Sequence, residues 1–384
     1  MHAPPAPVVV VGAGPAGLAV VRALARRGVA TTVLERDRAA ASWARHYDHL
    51  KLHTRKGAAA LPGMAYPPGT PTFPRRDDVV AYLRAYAARF VPDLREGVEV
   101  QGLTPLPAGA PGTALRAAPD PAPGAAGWRL ATSAGDLTAR AVVVATGIAS
   151  APFTPAIPGM DAFAGPLRHA AAYRDPAADA GRRVLVVGAG NTGVDLALGL
   201  AGHAAAVDLV VRDGVALVPC PTALSQRAGM LLQALPPALT EAALRRVRRA
   251  YPELGLPGPS GALREAFPVV GLRLVEAVRD GRVGVRPGVT AFTERGAVFA
   301  DGTEAAYDAV WLATGYRPAV AWAAPWLQPD AAAREGVRVA DGAVALHPLG
   351  FVYPGVTSWL QALPGAVGRV AADLAVRESS RPGA

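Results

Sequence analysis

The sequence predicts an α/β fold in which two parallel βαβ units lie in one chain, and three observations carry that expectation. The first is a β-branched run, Val8 to Val11, followed by a glycine turn and a helically spaced segment, Pro15 to Arg27, that Gly28 stops. The second is a repeat of that order at Val184 to Val187, Thr192 to Leu200 and Val207 to Val211. The third is size, because 384 residues of which 51% are hydrophobic suffice for two buried cores.

The remaining elements follow from their spacing. Thr31 to Leu34 closes the first βαβ unit as a second strand. Asp77 to Phe90 reads as an amphipathic helix, with Val79, Val80, Leu83, Ala87 and Phe90 on one face and Asp77 as its N-cap. Thr104 to Gly127 is rich in Pro, Gly and Ala and reads as a long loop, followed by strands at Trp128 to Thr132 and Leu137 to Ala145. Ala145 to Gly147 and Ala313 to Gly315 both spell A-T-G after a strand-like run, which suits two crossings between domains. The expected division is 1–150 and 305–384 for a discontinuous first domain, with 151–304 between them.

Composition removes several function classes. The net charge of +9 comes from scattered arginines, with lysine only at Lys51 and Lys56, a bias expected of a GC-rich bacterial genome. The one dense run, Arg245, Arg246, Arg248 and Arg249, lacks interleaved aromatics and reads as a solvated helix face, so no nucleic-acid partner is expected. Cys220 is the only cysteine, which excludes an intrachain disulfide, a dithiol redox pair and a cysteine zinc site. No uncharged apolar stretch reaches the ~18 residues of a membrane span, and no signal pattern precedes the first strand, so a cytoplasmic location is expected.

The chemistry lies in the two turns. Gly12, Gly14 and Gly17 stand in G-A-G-P-A-G, where a helix N-terminus and bare backbone let a pyrophosphate approach closely. Glu35 at the end of the next strand suits ribose hydroxyls and repels a 2′-phosphate. In the second turn Gly188, Gly190 and Gly193 stand in G-A-G-N-T-G, and the following strand leads to Arg212. A guanidinium there can pair with a 2′-phosphate and favours NADPH, whereas the adjacent Asp213 could serve a ribose if Arg212 points away.

Further stretches extend the pattern: L-E-R at Leu34 to Arg36, S-W at Ser42 and Trp43, Y-D-H-L-K-L-H at Tyr47 to His53, and P-T-F-P at Pro71 to Pro74. V-V-R-D at Val210 to Asp213, L-A-T-G-Y at Leu312 to Tyr316, and an FxGxxxHxxxY stretch from Phe163 to Tyr173 complete it. Over roughly residues 8 to 320 the chain resembles the flavin-containing monooxygenases, the class B flavoprotein monooxygenases, and is most similar to their YUCCA-type branch. The resemblance implies two Rossmann-like domains, one for FAD and one for NADPH. It implies that NADPH reduces FAD, that dioxygen adds at the flavin 4a-carbon, and that the hydroperoxide transfers one oxygen to a small substrate.

Site residues follow from the same resemblance. FAD contacts are implied at Gly12, Gly14, Pro15, Ala16, Gly17, Glu35, Arg36, Trp43, Leu52, Thr146, Gly147 and Gly315. Gly188, Gly190, Asn191, Thr192, Gly193 and Arg212 are implied for NADPH. His53 is the catalytic candidate, since it stands where many relatives of this class carry asparagine. Its competing reading is a satisfied polar residue near the cofactor. His169 reads as a structural hinge, and residues 222–270 as a substrate cover or an interfacial helix. The expected function is N- or S-oxygenation or oxidative decarboxylation of an aryl 2-oxo acid. A reductase or oxidase without oxygen transfer, and a vestigial redox sensor, stay open beside it, as does the choice between monomer and homodimer.

Overall fold

The computed structural model describes residues 6–107, 125–218, 222, 236–261, 268–330, 337–341, 343, 345–350 and 359–379. Two five-stranded, all-parallel sheets organise it. The first runs in the order Leu346–Pro348, Ala141–Val144, Val8–Val11, Thr31–Glu35, Leu94–Glu96. Val8–Val11 and Ala141–Val144 are buried at every position, as strands covered on both faces must be. Each such valine contributes roughly 1.5–3 kcal/mol of transfer free energy. On one face lie the helices Pro15–Ala25, Arg76–Phe90 and Trp359–Ser379. The last of these presents Leu363, Val367, Ala371 and Leu374 to the same core at helical spacing.

The second sheet runs Gly284–Arg286, Ala206–Val210, Arg183–Val187, Ala309–Leu312, Leu167–His169. Its helix, Asn191–Leu200, buries Val194, Leu196, Ala197 and Leu200. The strand Ala309–Leu312 pairs with both Arg183–Val187 and Leu167–His169, so it belongs to this second sheet. The expected division before residue 305 therefore falls on the wrong side of one strand. Strand composition alone cannot reveal which of two parallel sheets a strand joins.

Four local expectations also shift. The helix expected at Asp77 begins at Arg76, and Asp78, not Asp77, closes its first turn by accepting from the Arg75 amide at 2.9 Å. The strands flanking the long loop extend into it, as an antiparallel pair Val100–Pro107 and Ala125–Thr132; residues 108–124 lie outside the described residues. Leu137 to Ala145 is two strands, Leu137–Ala139 and Ala141–Val144, separated at the buried Arg140. Finally, the basic run is not one solvated face. Its helix, Pro237–Val247, ends before Arg248, which is 9% exposed, and the Arg249 amide bonds Leu217.

The two connections between the sheets run side by side. Ala151–Pro152 and Tyr316–Arg317 pair antiparallel, the Phe153 amide bonds the Gly315 carbonyl at 2.9 Å, and the Thr314 hydroxyl bonds the Phe153 carbonyl at 2.6 Å. Both A-T-G turns thus lie where the chain leaves a sheet.

Candidate functional site

The two glycine turns are near copies of each other in space. Gly12 has φ +107°, and a Cβ there would come within 2.6 Å of the Ala145 carbonyl oxygen. Gly188 has φ +112°, and its Cβ would come within 2.6 Å of the Ala313 carbonyl oxygen. Each first glycine is therefore fixed by the A-T-G turn of the neighbouring strand. Gly17 and Gly193 are closed in the same way against the carbonyls of Gly12 and Gly188, which holds each helix hard onto its turn. Gly14 and Gly190 differ from these. They are the N-caps of the two helices, with extended backbone, and a Cβ on either would meet no atom within 4 Å. Neither helix has a side-chain cap. Bare amides at a helix N-terminus beside open space can receive an anionic pyrophosphate.

Around the first turn the polar groups converge. Glu35 accepts from the Ala13 amide at 2.8 Å and the Asp37 amide at 3.0 Å, which sets its carboxylate against the turn. The Thr146 hydroxyl oxygen is buried with no hydrogen-bond partner, next to the carbonyl that confines Gly12. A buried unpartnered hydroxyl costs about 1–3 kcal/mol. That cost, in a chain bearing an open helix N-terminus, fits a bound polar group at this turn. Pro15, Ala16 and Gly17 form the buried first turn of the helix, and Leu52 and Trp43 pack into the same core. Gly147 and Gly315 take left-handed backbone, φ +78° and +85°, in the two crossings. The Arg36 guanidinium lies 3.7 Å from Glu99 and 3.6 Å from Asp37, so any cofactor contact it makes competes with two carboxylates.

In the second turn Asn191 is structurally committed. Its amide donates to the Pro268 carbonyl at 2.8 Å and accepts from the Val270 amide at 3.3 Å, pinning the strand Pro268–Val270, which leaves its backbone amide and Thr192 for a ligand. That strand pairs with Ala216–Val218, so the end of the segment expected as a cover is scaffold. Cys220 and residues 223–235 lie outside the described residues. Arg212 is 82% exposed and its Nε donates to Asp213 at 2.7 Å. The neighbour thus holds one edge of the guanidinium.

His169 behaves as an anchor. Its Nδ1 accepts from the Ala171 amide at 3.0 Å, so the proton lies on Nε2, which donates to the Gly315 carbonyl at 3.0 Å. Burial lowers its pKa, partly offset by the Gly315 carbonyl. The ring clips the second crossing to the strand Leu167–His169.

His53 faces the second unit. Its Nε2 is 3.7 Å from Asp195 Oδ2, and the Tyr47 hydroxyl donates to the same oxygen at 2.7 Å. Tyr47 also meets the ring of Tyr173 edge-on at 6.0 Å. Burial chiefly, and the Asp195 charge after it, push the Tyr47 pKa far up, so it stays a donor. Sequence reasoning met Tyr47 only as the start of a matching stretch, with no role assigned, and did not single out Asp195. The available signal was the spacing of Asp195 and Gly199, one helical turn apart, but nothing local says what lies opposite.

His46, beside Trp43 at 5.7 Å, has its pKa lowered to about 4 by burial and by the charges of Arg174, Arg45 and Arg76. A histidine kept neutral in the fold contributes stability above its unfolded pKa near 6.5 and loses it as pH falls toward 4. Stability should therefore drop by a few kcal/mol across that window, and chemical denaturation of wild type and His46→Gln at several pH values should show a shallower drop in the variant.

Residues 6–335 match the flavin-binding monooxygenase-like family. The chain is 36% identical over 374 residues to the indole-3-pyruvate monooxygenase YUCCA1 of Oryza sativa subsp. japonica, covering 91% of this chain and 87% of that one. It is 35% identical over 330 residues to the probable indole-3-pyruvate monooxygenase YUCCA4 of Arabidopsis thaliana, covering 82% and 76%. A doubly substituted flavin monooxygenase from Stenotrophomonas maltophilia shares the fold with TM-score 0.74 at 22% identity, over 98% of this chain and 99% of that one. With two glycine turns of matching geometry and a family match over most of its length, the chain belongs to the flavin-binding monooxygenase-like family.

Proposed function

We propose that the protein is an FAD- and NADPH-dependent monooxygenase that uses dioxygen to convert an aryl 2-oxo acid to the acid one carbon shorter. The observation that carries the reading is the pair of matched turns, each with one glycine closed on an A-T-G carbonyl and one left open at a helix N-terminus. The turn at Gly12, with Glu35 and the unpartnered Thr146 hydroxyl, suits FAD, and the turn at Gly188, with Arg212, suits NADPH. We assign the first sheet, including Leu346–Pro348, to the FAD domain and the second sheet to the NADPH domain. Bound flavin supplies the two-electron and oxygen chemistry. The chain's residues bind the two dinucleotides, orient their rings and exclude water.

The substrate class is supported by the relatives, which are named indole-3-pyruvate monooxygenases. The stoichiometry is one 2-oxo acid, one dioxygen, one NADPH and one proton giving the shorter acid, carbon dioxide, water and NADP⁺. N- or S-oxygenation is the second outcome of the same chemistry, and the arginine bias supports a bacterial source. Among the described residues no helix is long and apolar enough to cross a membrane. The deciding experiment incubates the purified protein with NADPH, dioxygen and a panel of aryl pyruvates, amines and sulfides, with products identified by mass spectrometry. Loss of carbon dioxide from aryl pyruvates is expected. Stoichiometric hydrogen peroxide with every substrate would instead make it an oxidase.

Arg212→Ala should lower kcat/KM for NADPH by roughly tenfold and leave NADH nearly unchanged. Losing a charged partner of a phosphate costs about 1.5 kcal/mol at the lower end of its range. The lower end applies because the guanidinium is 82% exposed and shared with Asp213. An undiminished preference for NADPH in the variant would assign the phosphate to another residue.

A further inference from the structure

The helix that the second glycine turn opens does more than cap a nucleotide. Asp195 and Gly199 lie one turn apart, on the face turned to the segment Tyr47 to His53 of the first unit. Asp195 Oδ2 accepts the Tyr47 hydroxyl at 2.7 Å. A Cβ on Gly199 would come within 2.8 Å of the His49 ring and 3.3 Å of the Tyr173 hydroxyl, so glycine there lets the segment sit against the helix. The seat is reinforced by the Asp48 amide, which bonds the Arg174 carbonyl at 2.9 Å. His53 then brings Nε2 to 3.7 Å from the same carboxylate oxygen, inside ion-pair reach and beyond hydrogen-bond length.

We propose that Asp195 is a positioning residue for His53, coupling the placement of that imidazole to the helix that carries the second glycine turn. The inference rests on the monooxygenase reading for its consequence in turnover and on geometry alone for its premise. The negative charge of a carboxylate 3.7 Å from Nε2 favours, through charge and not through a hydrogen bond, the tautomer that carries its proton on Nε2, which leaves Nδ1 as the ring's own acceptor. Tyr47 fixes the carboxylate in turn, and its hydroxyl keeps its proton because it is buried beside that negative charge. The chain Tyr47, Asp195, His53 thus has the logic of a base oriented by a third group.

Two arms test this on the purified flavoprotein. In the first, histidine is labelled with nitrogen-15 and the seven imidazoles are observed by NMR without NADPH, His53 being identified by the signal lost in His53→Ala. Wild type is expected to show Nε2–H at His53, and Asp195→Asn, which keeps an acceptor for Tyr47, is expected to change that tautomer balance. Asp195→Glu keeps the carboxylate and is expected to hold the wild-type signal; its loss there, or an unchanged signal in Asp195→Asn, overturns the proposal. In the second arm, hydrogen peroxide released per NADPH is expected to rise several-fold in Asp195→Asn and in His53→Ala, with the double variant no leakier than His53→Ala alone. Leakage that multiplies in the double variant means that Asp195 acts independently of His53 and overturns the proposal. If wild type never couples NADPH to product, the monooxygenase reading fails while the NMR arm still decides the Asp195 to His53 link.

Discussion

Gly14→Val is expected to give a folded, colourless protein. A valine side chain at this position meets no atom of the chain within 4 Å of its Cβ, and the backbone there is extended, a conformation valine adopts freely. The added carbons project into the space over the helix N-terminus, where a pyrophosphate must touch bare backbone. Bound flavin per chain should fall from about one to near zero, since losing close approach to two phosphates removes most of the anchoring interaction. Gly12→Ala should behave differently. Its Cβ would strike the Ala145 carbonyl at 2.6 Å on a backbone at φ +107°, so the fold itself should suffer. The measurements are the flavin absorbance ratio and the thermal midpoint, compared with flavin-stripped wild type, because loss of a ligand alone lowers the midpoint. A yellow Gly14→Val protein with stoichiometric FAD would remove the assignment of this turn.

The sequence made the two cores and the two turns legible because each depends on local pattern. Val8–Val11 and Arg183–Val187 are strands whose apolar runs follow from burial on both faces, and Gly12 and Gly188, at positive φ, report a backbone conformation that side chains rarely adopt. What sequence could not give was partnership across long separations. Nothing in Ala309–Leu312 says that it enters the second sheet between Arg183–Val187 and Leu167–His169. Nothing in Arg212 says that Asp213 holds its Nε, an arrangement different from the alternative in which Asp213 serves a ribose. Asn191 reads as part of a ligand turn, yet its side chain spends both of its polar atoms on a strand nearly eighty positions away. His53 was visible as a substitution within a resemblance, whereas its neighbour Asp195, 142 positions on in the chain, became visible only when the two units were folded together.

Gly190→Val should leave the protein yellow and sharply slow its reduction by NADPH. The position is the spatial counterpart of Gly14, an extended N-cap with no atom within 4 Å of a Cβ, so the substitution fills ligand space without straining the chain. Because the first turn is untouched, FAD content should match wild type. Under anaerobic conditions, flavin reduction by NADPH followed in a stopped-flow instrument should slow by roughly a hundredfold or more at a fixed NADPH concentration, equivalent to about 2.7 kcal/mol of lost dinucleotide binding. Reduction by dithionite, which needs no dinucleotide site, should proceed at the wild-type rate. That pair of readings separates the two turns. A chemical block on the flavin slows both reductants, and a block on the second turn slows only NADPH. Gly188→Ala gives the structural contrast, since its Cβ would meet the Ala313 carbonyl at 2.6 Å and disturb the crossing that His169 clips through Gly315. If Gly190→Val were reduced by NADPH as fast as wild type, NADPH would have to reach the flavin without this helix N-terminus, and the two-turn division of labour would fall.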